Sequence, residues 1–362
     1  MIKLIFIGSL KYSPIYKSHS IAFGKACESL GYDIKYIFSN EYKWLLDDDI
    51  IKKTYFVGSS NNIQYMVYDT LNVKNSLFLK DVFLKEKPSH VYIQNYHFLN
   101  HFILNLCKKN GSKFIYHVHE PYVINKKAHG GVWQYWLYLS EFMDKLLVNN
   151  TDIAIVSSKE ASRLFDKQYP NFKGSKMEIP LMYEDLGENY NDTEREYITF
   201  IGPPVPNKGP KILLKIIDYS NDKNYNLKFL ITSRSKVDPI FNKQNVTIFY
   251  KNKISDKEFG DVIKQSRMVI APFIRETQSS GILVSYMYGT PVVSSNVGGL
   301  PEFVNHGKTG YLVNVNAPVE DWIEKINYVM NDFSRMTVNC RNYFVENFSG
   351  KNWKKYLKDL LN

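Results

Sequence analysis

Cysteine is scarce in this chain: Cys27, Cys107 and Cys340 are the only three in 362 residues. They are odd in number, far apart and in no metal-ligand spacing, which argues against a disulfide framework and for reduced thiols in a cytoplasmic protein. Long hydrophobic runs are missing as well. No stretch reaches the roughly 18 apolar residues of a membrane-spanning helix. The opening MIKLIFIG passes into polar sequence too soon for a signal peptide and reads as a first buried strand. Glycine is thin where a dinucleotide needs it. IFIGSLKYS offers one glycine, Gly8, after that strand and no G-x-G-x-x-G, so a nicotinamide dehydrogenase is a poor fit. Internal repeats, low-complexity segments and nucleic-acid-binding modules are absent too. Acidic residues fall short of basic ones, 36 against 46, leaving a formal charge of +10. Nucleic acid, an anionic membrane surface or a phosphorylated substrate would suit that surplus, and so would a lysine-rich solvated surface. With no module to read it, nucleic acid drops out as a partner.

What is present describes a globular protein, 44% apolar and 23% charged. The length exceeds what one core usually serves, so two domains are expected. Short apolar, β-branched runs alternate with amphipathic stretches, the pattern of parallel sheets covered by helices. In the first half strands are expected at Lys3–Ile7, Asp33–Phe38, Val91–Gln94, Lys113–His117 and Ile153–Ser157. Helices fall near His19–Leu30, Leu99–Lys109, Val132–Val148 and Lys159–Phe165. After about Pro180, MYEDLGENYNDTERE is acidic and aperiodic, and reads as a linker. A second series follows, with strands at Tyr197–Ile201, Lys228–Thr232, Val246–Phe249, Met268–Ala271 and Pro291–Ser294. Its helices lie near Lys211–Asp218, Asp256–Lys264 and Gly281–Tyr288. The boundaries are therefore set at 1–183 and 197–345, with a linker over 184–196 and a closing amphipathic segment, 346–362, that can pack back on the first domain. Two doubly wound halves enclose a cleft, and ligands of such sheets sit beyond the carboxyl ends of the strands.

Several candidates fall in such loops. In APFIRETQSSGILVSYMYGTPVVSSNVGGLPEFVNHGKTGYLV, residues 271–313, Ser279, Ser280 and Gly281 stand where a helix begins. Free amides and the positive end of the helix dipole there form an anion site that small side chains leave open. Glu276, just ahead, can accept hydrogen bonds from sugar hydroxyls. Read alone, the stretch is equally a capped core helix with an exposed glutamate.

Read in register, it resembles the donor-site signature of glycosyltransferase family 4: a Glu-x7-Glu frame, then G-x-P-V-V and G-G-x-P-E. Gly289-Thr290-Pro291-Val292-Val293 and Gly298-Gly299-Leu300-Pro301-Glu302 match the second and third parts, and the run from His306 to Val313 continues the match. Glu276 takes the place of the first glutamate, which in the family contacts the transferred sugar. The second, which grips the nucleotide ribose, is replaced by Val284. FIGPPVPNKGPKILLKI, from Phe200, resembles the family's F-x-G-R-x-x-x-x-K-G, with Gly202 in the turn and Lys208-Gly209 as the Lys-Gly pair. A lysine there would neutralise the leaving diphosphate. Pro203 stands where the family has an arginine, for which Arg275 or Arg234 can substitute.

In KFIYHVHEPYV, a strand runs into His117-Val118-His119-Glu120-Pro121. Family members carry a histidine in this loop, near the reacting carbon and the acceptor. His119 fits best, with His117 still on the strand and turned differently from it, and His117 and Glu120 on the acceptor side. A plain structural histidine is the alternative, and a His-x-His metal site lacks a third ligand. Gly8 and Ser9 can reach the donor phosphate from the first domain. Trp133, Tyr135, Trp136, Tyr138 and Phe142 crowd one helix downstream of Lys126 and Lys127. That helix is either a core helix, the commoner case, or one lying on a membrane surface.

The resemblance implies a GT-B fold, two Rossmann-like domains facing across a cleft, with no metal or other cofactor and a nucleotide sugar as substrate. It implies a retaining glycosyltransferase moving sugar to a glycan or lipid-linked acceptor, as in bacterial capsule and lipopolysaccharide synthesis. His119, Glu276 and Lys208 would be catalytic. The donor would be held by Gly8, Ser9, Gly202, Lys208, Arg275, Glu276, Ser279, Ser280, Gly281 and Ile282. The chain is expected in the cytoplasm, or attached peripherally at the inner face of the membrane. Pro203 and Val284 also admit a non-catalytic binding protein, and, more distantly, a nucleotide-sugar epimerase shares the fold.

Overall fold

Runs such as LIFIGS, HVYIQ and SRMVIA are apolar without alternation, which marks strands covered on both faces. The computed structural model describes residues 4–10, 14–59, 63–119, 121, 132–187 and 194–362. The chain divides into two compact units, the first comprising Met1–Glu184 with Gly350–Asn362 and the second Asp185–Ser349.

Unit 1 is built on seven strands: β1 (Leu4–Ser9), β2 (Asp33–Ser39), β3 (Thr54–Val57), β4 (His90–Gln94), β5 (Lys113–His117), β6 (Ile153–Val156) and β7 (Ser175–Glu178). All pair in parallel, in the order β3-β2-β1-β4-β5-β6-β7. The strand order reverses between β1 and β4, the switch point of a doubly wound sheet. Its helices are α1 (Pro14–Glu28), α2 (Asp48–Lys52), α3 (Ile63–Leu71), α4 (Val73–Glu86), α5 (Leu99–Asn110), α6 (Val132–Asn149) and α7 (Lys159–Gln168). One core, with Phe6, Phe83, Ile93 and Phe114, fills one side of the sheet; a second, with Phe23, Tyr36, Tyr92 and Ile155, fills the other.

Unit 2 has six parallel strands: β8 (Tyr197–Ile201), β9 (Lys228–Ser233), β10 (Val246–Tyr250), β11 (Ser266–Ala271), β12 (Val292–Ser295) and β13 (Gly310–Val313). They run in the order β10-β9-β8-β11-β12-β13, with the reversal between β8 and β11. The helices are α8 (Pro210–Asp222), α9 (Asp256–Lys264), α10 (Ser280–Met287), α11 (Val319–Asn331) and α12 (Phe333–Asn347). The last helix, α13 (Lys354–Leu361), lies in unit 1, where Trp353, Leu357, Leu360 and Leu361 join the second core.

The stretch expected to be an aperiodic linker is fastened on both sides of the boundary: Met182 lies in the second core of unit 1, while Asp185 and Arg195 are tied into unit 2. Both carboxylate oxygens of Asp185 accept from the Arg341 guanidinium at 2.7 Å. Arg195 is buried, donating to Thr290 Oγ1 at 2.7 Å and to the carbonyl of Tyr288 at 2.6 Å. The three cysteines are buried and unbridged. Among the described residues no helix is long and apolar enough to cross a membrane.

Candidate functional site

In unit 2 the loops after β8 and β11 meet at the switch point, where an open parallel sheet offers its ligand crevice. Gly202 follows β8 with φ +94°, a left-handed conformation open to glycine. Its amide donates to Thr232 Oγ1 on β9 at 3.0 Å, and a Cβ there would overlap the ammonium of Lys208. Lys208 folds back to donate to the carbonyl of Ile201 at 2.9 Å, with Nζ 5.6 Å from the Phe273 ring centroid. Gly209, at φ +67°, begins α8 so close to the other loop that a Cβ would overlap the carbonyl oxygen of Pro272. Ile274 N donates to Asn207 O at 2.8 Å and completes the stitch between the two loops.

Glu276, half-buried, is held from a third loop. Its carbonyl accepts from Gly299 N at 3.0 Å, and Gly298 (φ +54°) lies so near that a Cβ would overlap the same oxygen. The Gly-Gly turn after β12 is therefore the cradle of the Glu276 backbone. The Glu276 carboxylate accepts from Thr277 N at 3.1 Å. Beyond it Ser279 starts α10 without capping through its own side chain, so the first amides of that helix are not closed by it. Gly281 brings α10 against β8: a Cβ would sit 3.2 Å from Ile201 Cγ2. Gly202, Lys208, Arg275, Glu276, Ser279, Ser280 and Gly281 thus gather at the ends of β8 and β11. Arg275 is exposed, and so is Arg234 after β9; the side chain of Ile282 is buried in the core, which leaves only its backbone at the helix start. Val284 stands half-buried on α10.

Unit 1 brings together a different set. His119 stacks on His117 with centroids 4.2 Å apart and planes 10° from parallel, and meets Tyr16 at 4.7 Å. The expectation that the strand turns these two histidines differently is corrected: residues two apart along a strand share a face. Both His117 nitrogens are engaged, Nδ1 with Tyr92 Oη at 2.8 Å and Nε2 with Ser157 Oγ at 2.9 Å. Tyr92 Oη also meets His19 Nε2 at 2.9 Å, and His19 Nδ1 reaches the carbonyl of Met182 at 2.8 Å. Burial holds the imidazoles neutral: His19 is pushed down to about 4, His117 and His119 well below the usual histidine range, with neighbouring histidines adding to burial in the latter two. His19, Tyr92 and Ser157 were not singled out in the sequence. Their signal is faint, a polar residue inside or at the end of an apolar element.

Ser9 is fully buried, its hydroxyl engaged with Tyr42 Oη at 2.8 Å and accepting from Asn95 Nδ2 at 2.9 Å. At Gly8 a Cβ would overlap the Ile93 side chain, so close strand packing accounts for that glycine. Glu120, Lys126 and Lys127 lie outside the described residues. Among the described residues no group of three or more His, Cys, Asp or Glu is arranged to hold a metal ion.

Comparison with known proteins bears on the fold and on the second unit's family. Residues 195–332 match the family model for glycosyl transferases group 1. An uncharacterized 41.2 kDa protein in the cps region of Klebsiella pneumoniae is 25% identical over 229 residues, 59% of this chain and 60% of that protein. The match thus spans less than two thirds of that relative. Among solved structures, sucrose-phosphate synthase from Thermosynechococcus elongatus superposes with a TM-score of 0.73 at 14% identity, covering 99% of this chain and 98% of the other. The Anabaena protein HepE in complex with UDP-glucose gives 0.69 at 13% identity, covering 100% and 99%.

Proposed function

We propose that this chain, whose residues 195–332 form a glycosyl transferases group 1 domain within a GT-B fold, moves a sugar with retention from a nucleotide-sugar donor to a glycan or lipid-linked acceptor of a bacterial surface polysaccharide. The observation that carries the reading is the joint fixing of Lys208 and Glu276. One cation and one carboxylate are held at the switch point by glycines, Gly209 and Gly298, that tolerate no side chain. A pure scaffold has no need of both. The cps-region relative and the UDP-glucose complex of the Anabaena protein support a surface polysaccharide and a nucleotide-sugar donor.

In this reading Lys208 and the first amides of α10 take the charge that grows on the diphosphate as the glycosidic bond to it breaks. Glu276 accepts from sugar hydroxyls. His119, neutral at physiological pH, is assigned to the sugar and acceptor side by the family resemblance. The acceptor hydroxyl attacks the face that the phosphate leaves, and its proton passes to a phosphate oxygen. No protein base and no metal is required in this scheme. Arg275 or Arg234, on loops after the strands that flank β8, supplies the second cation that Pro203 lacks.

The test is a donor panel of UDP-, GDP-, ADP- and dTDP-sugars, read as nucleotide released by the purified chain. One donor should be consumed, and Lys208→Ala and Glu276→Ala should each lower turnover by about a hundredfold or more without lowering the melting temperature. Wild-type turnover in both variants would remove the site assignment.

A further inference from the structure

Helix α6 is turned inside out. Its apolar stripe, Tyr135, Tyr138, Leu139, Phe142 and Leu146, follows the three- and four-residue spacing that normally faces a core. Here Tyr135 is 77% exposed, Tyr138 50% and Phe142 59%. What turns inward instead is the acidic side. The Asp144 carboxylate accepts from the hydroxyls of Tyr116 and Tyr169, and Glu141, 13% exposed, pairs with Lys145 at 3.0 Å and accepts from Gln168. Helix α3, which packs beside α6, repeats the arrangement. Tyr65 and Tyr68 are 57% and 66% exposed, while the one acid of α3, Asp69, points to the buried His97 at 3.5 Å. Two neighbouring helices thus present aromatic rings outward and withdraw all three of their carboxylates.

The charge of the chain is equally lopsided. Unit 1 holds 27 Lys and Arg against 18 Asp and Glu, whereas unit 2 holds 19 against 18. Nearly the whole surplus of +10 therefore belongs to the unit that shows the aromatic face. Amphipathic tyrosines suit the boundary between headgroups and acyl chains. A basic unit gains about 1 kcal/mol per Lys or Arg brought near an anionic leaflet, and an acidic side chain on the contact face would oppose it. A second copy of this chain is a worse occupant. It would bring an equal positive surplus to a face on which the described residues of α3 and α6 turn no carboxylate outward.

We propose that the α3–α6 face of unit 1 is a docking surface for an anionic lipid bilayer, entered by Tyr65, Tyr68, Tyr135 and Phe142. The surface would bring the chain to the lipid-linked class of acceptor. It rests on the transferase reading for that purpose only, since binding requires neither donor nor turnover. The experiment is flotation of the full chain with vesicles of phosphatidylcholine, with and without phosphatidylglycerol. The wild type should float with the phosphatidylglycerol vesicles alone. The Tyr135→Ser/Phe142→Ser pair should bind about tenfold more weakly or worse, with unchanged melting temperature and unchanged nucleotide release from a soluble donor. Tyr65→Ser/Tyr68→Ser, on the other helix, repeats the test should the first pair fold poorly, and Tyr328→Ser in unit 2 should bind as the wild type does. Absence of wild-type flotation, equal flotation of both double variants, or a wild-type dimer that these variants dissociate would each overturn the proposal. Loss of nucleotide release in every form, with flotation intact, would instead overturn the transferase reading alone.

Discussion

Gly298 and Gly307 show how differently two glycines of one motif region serve. Both have positive φ, +54° and +76°, but a Cβ at Gly298 overlaps the Glu276 carbonyl while at Gly307 it meets nothing within 4 Å. Gly307→Ala should therefore cost about 1 kcal/mol of backbone strain and leave transfer intact. Gly298→Ala adds a clash that only a shift of Glu276 relieves, so transfer should fall more than about tenfold. Kinetics and urea denaturation of the two variants separate the cases. The buried histidines set a second residue-scale expectation. His19 titrates near 4 in the folded chain against 6.5 unfolded, and His117 and His119 are lowered in the same sense. A lowered folded value means stability that is present above the unfolded value and is lost as pH falls toward the folded one; for His19 alone this is on the order of 3 kcal/mol. Asp144, raised to about 6 mainly by burial, acts in the opposite sense, losing its contribution as pH rises through 6. Three histidines outweigh one aspartate, so the melting temperature should fall from about pH 7 to about pH 5. His119→Gln should make that decline shallower, and an unchanged slope would contradict the assignment of a neutral, buried ring. The His-x-His spacing was legible in the sequence; the chain of hydrogen bonds through Tyr92, 25 residues before His117, was not, because only the parallel pairing of β4 with β5 brings them together.

At the scale of elements, buried strands were legible, and of the four edge strands only β10, expected over Val246–Phe249, was. β5 and β8 fall where the apolar runs placed them, whereas β3 and β7 were missed. β7 reads Ser-Lys-Met-Glu, a half-exposed edge with no apolar run to betray it. β13 was quoted within the glycine-punctuated motif yet not recognised as a strand, since GYLV is short and begins at a glycine. Helix α6 was located to within a residue at its end, but the face it would show was left open between core and surface. Periodicity gives the stripe and not its direction; Tyr116 and Tyr169, waiting inside for a carboxylate, decide it. Asp144→Ala should leave those two hydroxyls without their acceptor and lower stability by about 1–3 kcal/mol. Chemical denaturation reads this directly, and a neutral outcome would mean that packing of Leu147 and Val148 alone sets the rotation of the helix.

For the molecule as a whole, the two-domain plan followed from alternation and length, and the family resemblance from some forty residues of unit 2 in register. The resemblance supplies no replacement for the missing arginine at Pro203 or the missing glutamate at Val284; the cations proposed for the former, Arg275 and Arg234, follow β11 and β9, far from Pro203 in sequence. Nor did the acidic stretch after Pro180 reveal its anchors, since Asp185 and Arg195 find their partners in Arg341 and Thr290, far along the chain. The central claim is that unit 2 holds a nucleotide diphosphate between Lys208 and the start of α10. The most direct test is the thermal shift of the full chain with UDP, GDP, ADP, CMP and dTDP, beside Lys208→Ala. A ligand at about 100 times its dissociation constant adds roughly 2.7 kcal/mol. The account predicts a clear rise in melting temperature with one nucleotide and its loss in the variant. No rise with any nucleotide, or an equal rise in Lys208→Ala, would contradict it.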